Sequence, residues 1–126
     1  MKEKLKQILI VDDSLDLQFL LARLLQSAGY DILQAHDGLQ ALNTLKNGAN
    51  LPCLILLDVM MPVMDGIEFK LKQMNDPRLA NIPVVWMSAD ANSKEKVKLL
   101  GGADFIQKPI LNLDVLLKSV ERFQSQ

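Results

Sequence analysis

Asp12, Asp13, Asp58, Ser88 and Lys108 are the residues whose types and placing could do chemistry together. Each follows a short apolar run: Asp12 and Asp13 after ILIV (8–11), Asp58 after CLILL (53–57), Ser88 after PVVWM (83–87) and Lys108 after DFIQ (104–107). If those runs end in one place, three carboxylates share a small pocket. Two unit charges about 4 Å apart repel by roughly 4 kcal/mol at an effective dielectric near 20, so cations must join them. Lys108 can offset one charge. A hard divalent ion, Mg2+ or Mn2+, suits the remainder, because it prefers carboxylate oxygens and keeps waters that can bridge to phosphate. No His or Cys is placed to favour zinc. A carboxylate nucleophile, cations to neutralise phosphoryl oxygens and a hydroxyl donor are the parts that phosphoryl transfer needs. Asp58, a lone acid, is the expected acceptor, and the adjacent pair Asp12 and Asp13 is better suited to holding metal.

The four runs are mostly apolar on consecutive positions, as strands covered on both faces should be, and DILQ (31–34) is a weaker fifth. Helical patterns lie between them. Leu17, Leu20, Leu21, Leu24, Leu25 and Ala28 follow helical spacing and Gly29 supplies a stop. Asp37 with Gln40, Asp65 with Glu68 and Asn92 with Glu95 have the spacing of helix-start caps, and Asn112 can cap a last helix carrying Leu113, Leu116, Leu117, Val120 and Phe123. In the helix after Asp65, Ile67, Leu71 and Met74 form the expected buried stripe, with Phe69 off it. Strand and helix alternating five times predict an α/β domain, a doubly wound parallel sheet of flavodoxin-like order 2-1-3-4-5 with helices on both faces. Ligands in such sheets bind beyond the carboxyl ends of the strands.

At 126 residues the chain reads as a single domain, 1–126. Its 49% hydrophobic content allows a real core, and its net charge of −1 offers no general attraction to nucleic acid or anionic membrane. Cys53 stands alone, which excludes an intrachain disulfide and fits a reducing compartment. No apolar run approaches the roughly 18 residues of a membrane span, and MKEKLKQ has no apolar stretch behind its lysines, so a cytoplasmic protein is expected.

The segments ILIVDDS, LILLDVMMPVMDG, VVWMSA and GGADFIQKP, in this order and spacing, resemble the receiver domains of two-component response regulators, the chemotaxis-regulator type included. The resemblance covers essentially the whole chain. It implies that Asp58 accepts phosphate from the phosphohistidine of a sensor kinase or phosphotransfer protein. It further implies that Asp12, Asp13, Asp58 and the Met60 carbonyl surround Mg2+, and that Ser88 and Lys108 contact the phosphoryl group. A cis bond between Lys108 and Pro109 is also implied. So is a switch in which Ser88 moves toward the phosphoryl group and Phe105 turns inward. The surface affected would be the fourth helix, from about residue 93, the fifth strand and the fifth helix, where an unidentified target would dock. Such a domain is regulatory, not an enzyme: it is phosphorylated stoichiometrically and loses the phosphate slowly. Ser88 replaces the more usual threonine, and Met60 and Asp90 occupy positions that influence phosphate lifetime in the family.

Other readings compete. A haloacid-dehalogenase-like phosphatase also uses an aspartate, Mg2+, a hydroxyl and a lysine, but wants an acid two residues after its nucleophile, where VDDS places Ser14. A flavin domain would need a Gly, Ser or Thr-rich phosphate loop after the first strand, where this chain has acids. His36 reads as an exposed loop residue, and Trp86, the methionines and Cys53 as packing. The chain is expected to be either a complete single-domain regulator or a piece of a larger signalling protein.

Overall fold

The computed structural model describes residues 6–124. Strands β1 (Gln7–Val11), β2 (Asp31–Ala35), β3 (Leu54–Asp58), β4 (Val84–Ser88) and β5 (Asp104–Gln107) alternate with helices α1 (Leu15–Ser27), α2 (Gly38–Asn47), α3 (Gly66–Met74), α4 (Ser93–Lys98) and α5 (Leu113–Phe123). The strands are parallel, in the order β2-β1-β3-β4-β5 expected from the alternation.

Residues on β1, β3 and β4 serve two cores by turns. Leu9, Val11, Ile55, Leu57, Val84 and Trp86 pack with Leu42 of α2, Phe69 of α3 and Val97 of α4. Their neighbours Ile8, Ile10, Leu54, Leu56, Val85 and Met87 pack with Leu21 and Leu25 of α1 and Leu116 and Val120 of α5. Burying both faces is why these strands read as unbroken apolar runs. Each fully buried Leu or Ile contributes about 1.5–3 kcal/mol, so the central strands hold much of the stability. At the edges Asp31, Gln34 and Gln107 meet solvent, which explains the weaker patterns of β2 and β5.

Ladder register sets the site. Val11 pairs with Leu57, Asp58 with Met87, and Ser88 with Gln107, so Asp12, Asp58, Ser88 and Lys108 all reach the carboxyl end of the sheet.

Four local expectations need correcting. The buried face of α3 is Gly66, Phe69, Lys70 and Gln73, while Leu71 and Met74 are each 45% exposed. Polar residues can face inward there because they satisfy one another: Lys70 Nζ donates to Gln73 Oε1 at 2.9 Å, and Gln73 Nε2 donates to the carbonyls of Leu79 and Ile82 at 2.9 and 3.0 Å. Rotating α3 this way seals the bulky Phe69 ring completely. Leu20 on α1 is exposed, and the polar Gln18 is buried on that helix. Asn92 makes no capping bond and is already helical; its amide instead donates to Asp90 Oδ1 at 2.9 Å. His36 is half-buried, not exposed, and its Nδ1 is sealed without a partner. The other caps form as expected, with Asp37, Asp65 and Asn112 accepting from the amides of Gln40, Glu68 and Asp114.

Candidate functional site

Asp12 leaves β1 at its buried end and is sealed from solvent. Its Oδ1 accepts the Ser14 amide at 2.9 Å, and Ser14 in turn caps α1. Oδ2 accepts from Lys108 Nζ at 2.6 Å, a charge-assisted bond between residues 96 positions apart. The same ammonium lies 3.4 Å from Asp58 Oδ2. Asp13 follows on the exposed rim. One oxygen from each of Asp12, Asp13 and Asp58 falls within 4.8 Å of the others, a group able to hold a metal ion.

Asp58 closes β3, only 5% exposed. Burial, and next the charge of Asp12, push its carboxyl up from 3.8 to about 6; Lys108 and the Met60 backbone N–H, which donates to it, pull the other way. It is therefore ionised near neutrality yet poorly solvated, the state wanted of a carboxylate nucleophile. An all-oxygen donor set of three carboxylates fits a hard divalent cation and not a thiophilic one.

Ser88 ends β4 beside this group, 2% exposed. Its hydroxyl is engaged with its own loop: Oγ accepts the Asp90 amide at 3.0 Å and donates to Ser93 Oγ at 3.2 Å. The Lys108 amide bonds the Ser88 carbonyl at 2.7 Å, and the Lys108–Pro109 peptide is cis. Phe105 lies farther from the pocket. It pairs with Trp86 across the β4–β5 ladder, half-buried, and lines a cavity of about 420 Å³ with Trp86, Val97 and Lys98. The Met60 side chain is 65% exposed.

The fold thus brings Asp12, Asp13, Asp58 and Lys108 into contact range, places Ser88 at the same sheet end, and sets Phe105 apart. Gly66, not singled out from the sequence, belongs to the site. A Cβ there would stand 2.2 Å from the Asp58 carbonyl oxygen, so only glycine lets α3 start against the end of β3. The Asp-Gly pair at 65–66 was its visible signal. Val63, in the loop after Asp58, holds φ 68, a left-handed conformation that costs a β-branched residue about 1 kcal/mol or more.

The family model described as Response regulator receiver domain matches residues 8–121. Hybrid signal transduction histidine kinase B of Dictyostelium discoideum is 33% identical over 95% of this chain and 7% of its own length. The transcriptional regulatory protein CpxR homolog of Haemophilus influenzae is 34% identical over 90% of this chain and 48% of its own. The chain thus spans less than half the length of these curated relatives. Among solved structures, the chemotaxis response regulator CheY4 of Vibrio cholerae superposes with TM-score 0.85 at 30% identity, covering 95% of this chain and 99% of that one. Response regulator TrrA of Thermotoga maritima, described as a complex with Mg2+-BeF, superposes with TM-score 0.83 at 26% identity, covering 94% and 99%.

Proposed function

Since the chain belongs to the response regulator receiver domain family, we propose that it is a single phosphoacceptor signalling domain in which Asp58 takes a phosphoryl group from a phosphohistidine. What carries the reading is one observation: Lys108 Nζ stands 2.6 Å from Asp12 and 3.4 Å from Asp58, inside a carboxylate group tight enough for a divalent ion. The Mg2+-BeF complex of TrrA supports the same assignment.

In this mechanism an ionised Asp58 oxygen attacks phosphorus. The O–P bond forms as the P–N bond to the donor imidazole breaks, and the leaving nitrogen keeps the electron pair. Asp12, Asp13, Asp58 and the Met60 carbonyl would hold Mg2+, whose charge, when it is bound, offsets that of the phosphoryl oxygens. Lys108 supplies a fixed cation beside Asp12 and Asp58 and keeps Asp58 ionised against the pull of burial. Exposed Leu15, Phe19 and Leu111 offer the donor protein apolar surface on the elements that flank Lys108.

Signalling follows from Ser88. Its hydroxyl, leaving Ser93 to bond the new phosphoryl oxygen, would draw the β4–α4 loop inward, and Phe105 would turn into the space this frees beneath α4. The surface of α4, β5 and α5 then presents a different face to a target protein. Incubation with acetyl phosphate and Mg2+ should add one phosphate per chain, read by intact mass, and Asp58→Asn should abolish it. Undiminished labelling of the substituted protein would mean another acceptor, and many turnovers of a phosphate monoester would favour the phosphatase reading.

A further inference from the structure

Gln18 is a polar side chain on α1, 2% exposed, to which the mechanism above gives no part. Its Nε2 lies 2.8 Å from the Ala35 carbonyl and 3.1 Å from those of Ile10 and Asp12. An amide nitrogen has two hydrogens, so three carbonyls share them, while Oε1 is buried without a partner. The reversed amide would set an oxygen against three acceptors, so this orientation is the one chemistry allows.

The bonds gather around the backbone of Asp12. Ala35 O accepts both the Gln18 amide and, at 3.1 Å, the Asp12 backbone N–H. The Asp12 carbonyl, held by Gln18, belongs to the peptide joining Asp12 to Asp13. Turning that carbonyl turns the peptide plane and swings the Asp13 Cα, and with it the Asp13 carboxylate. Asp12 is pinned independently through its carboxylate by Lys108 and the Ser14 amide, whereas Asp13 sits on the exposed rim and goes where the peptide sends it.

We infer that Gln18 is a positioning residue for the divalent-cation site: acting through the Asp12–Asp13 peptide, it sets the spacing of these two carboxylates toward Asp58. The inference rests on the reading that Asp12, Asp13 and Asp58 hold Mg2+. The same device occurs at Gln73, whose amide also ties loop carbonyls, of Leu79 and Ile82, but whose bonds run to the loop between α3 and β4, not to an acidic residue. Gln73 is therefore the internal control.

The test is Mn2+ binding by the full chain, followed by the paramagnetic resonance signal of the free ion, for the unsubstituted protein, Gln18→Met and Gln73→Met. Both substitutions keep side-chain volume and remove the donors. Outer groups that orient metal ligands typically matter by about tenfold or more in affinity, and Gln18→Met should weaken Mn2+ by that factor while Gln73→Met stays within about twofold. The Mg2+ concentration for half-maximal labelling by acetyl phosphate should rise by the same factor in Gln18→Met, with the rate at saturating Mg2+ little changed. A folded Gln18→Met protein that binds Mn2+ like the unsubstituted one overturns the inference alone. No Mn2+ binding by the unsubstituted protein removes the metal-site reading and the inference together. Should Gln18→Met fail to fold, nitrogen-15 spectra of the unsubstituted protein decide: the Gln18 side-chain amide must shift on adding Mg2+ more than that of Gln73, and equal shifts overturn it.

Discussion

Lys108 and Lys70 are both largely withdrawn from water, yet they are compensated in opposite ways. Lys108 keeps 18% of its side chain exposed and faces two carboxylates, at 2.6 and 3.4 Å. Lys70, 6% exposed on the inner face of α3, donates to the neutral amide oxygen of Gln73 at 2.9 Å, and burial lowers its pKa. At the carboxyl end of the sheet, charges that repel are kept together and made tolerable by an opposite charge. On α3, a single charge is tolerated because one hydrogen bond and the tied α3–β4 loop accompany it. The first arrangement is costly unless something uses it, and the second has a sufficient account in packing.

The contrast can be broken by substitution. Lys108→Met would leave Asp12, fully buried, and Asp58 without their shared cation, and should cost about 3 kcal/mol in metal-free buffer at pH 7, read by urea unfolding. A loss no larger than that from Lys70→Met would erase the distinction. Asp58 sharpens it from the other side. Its carboxyl rises from 3.8 to about 6 on folding, so the folded state holds the proton more tightly than the unfolded one. The stability this gives is complete below about pH 4 and lost as pH rises through about 6. Asp58→Asn, which cannot ionise, should therefore be more stable than the natural chain by about 1–3 kcal/mol at pH 7 in chelator, and by almost nothing at pH 4. Thermal melts at the two pH values check this; an advantage that grows toward acid would contradict it.

The smallest effect belongs to Lys70. Its pKa falls on folding, so the unfolded chain binds the proton more tightly, and stability rises with pH through the window between the lowered value and 10.5. Lys70→Met should change stability by less than about 1 kcal/mol at pH 7, because losing the Gln73 bond offsets removing a poorly solvated charge. It should also abolish the alkaline rise. A flat difference between the two proteins from pH 7 to pH 10 would show that burial imposes little on this amine.

How far the chain could be read depended on where the partners of each group lie. The central strands were plain, since Ile8–Val11, Leu54–Leu57 and Val84–Met87 are covered on both sides and need no polar residue. The caps at Asp37, Asp65 and Asn112 were plain because each acceptor meets an amide two or three residues on. The inner face of α3 was hidden: Lys70 and Gln73 look like solvent residues until the Leu79 and Ile82 carbonyls are beside them. Gln18 was hidden for the same reason, its nearest acceptor being on β2, 17 residues away. Asn92 misled because Asp90 takes over the amide bonding before α4.

Composition, periodicity and strand-end chemistry thus determined the fold class, the strand order and the set of acids, hydroxyl and amine at issue, because apolar burial and helix capping act over a few residues. Which of those groups touch was decided only by the assembled sheet. Backbone ladders hold neighbouring strands in one stagger, Val11 beside Leu57 and Asp58 beside Met87, and that stagger, not the side chains themselves, brings Lys108 to Asp12 across 96 residues of chain.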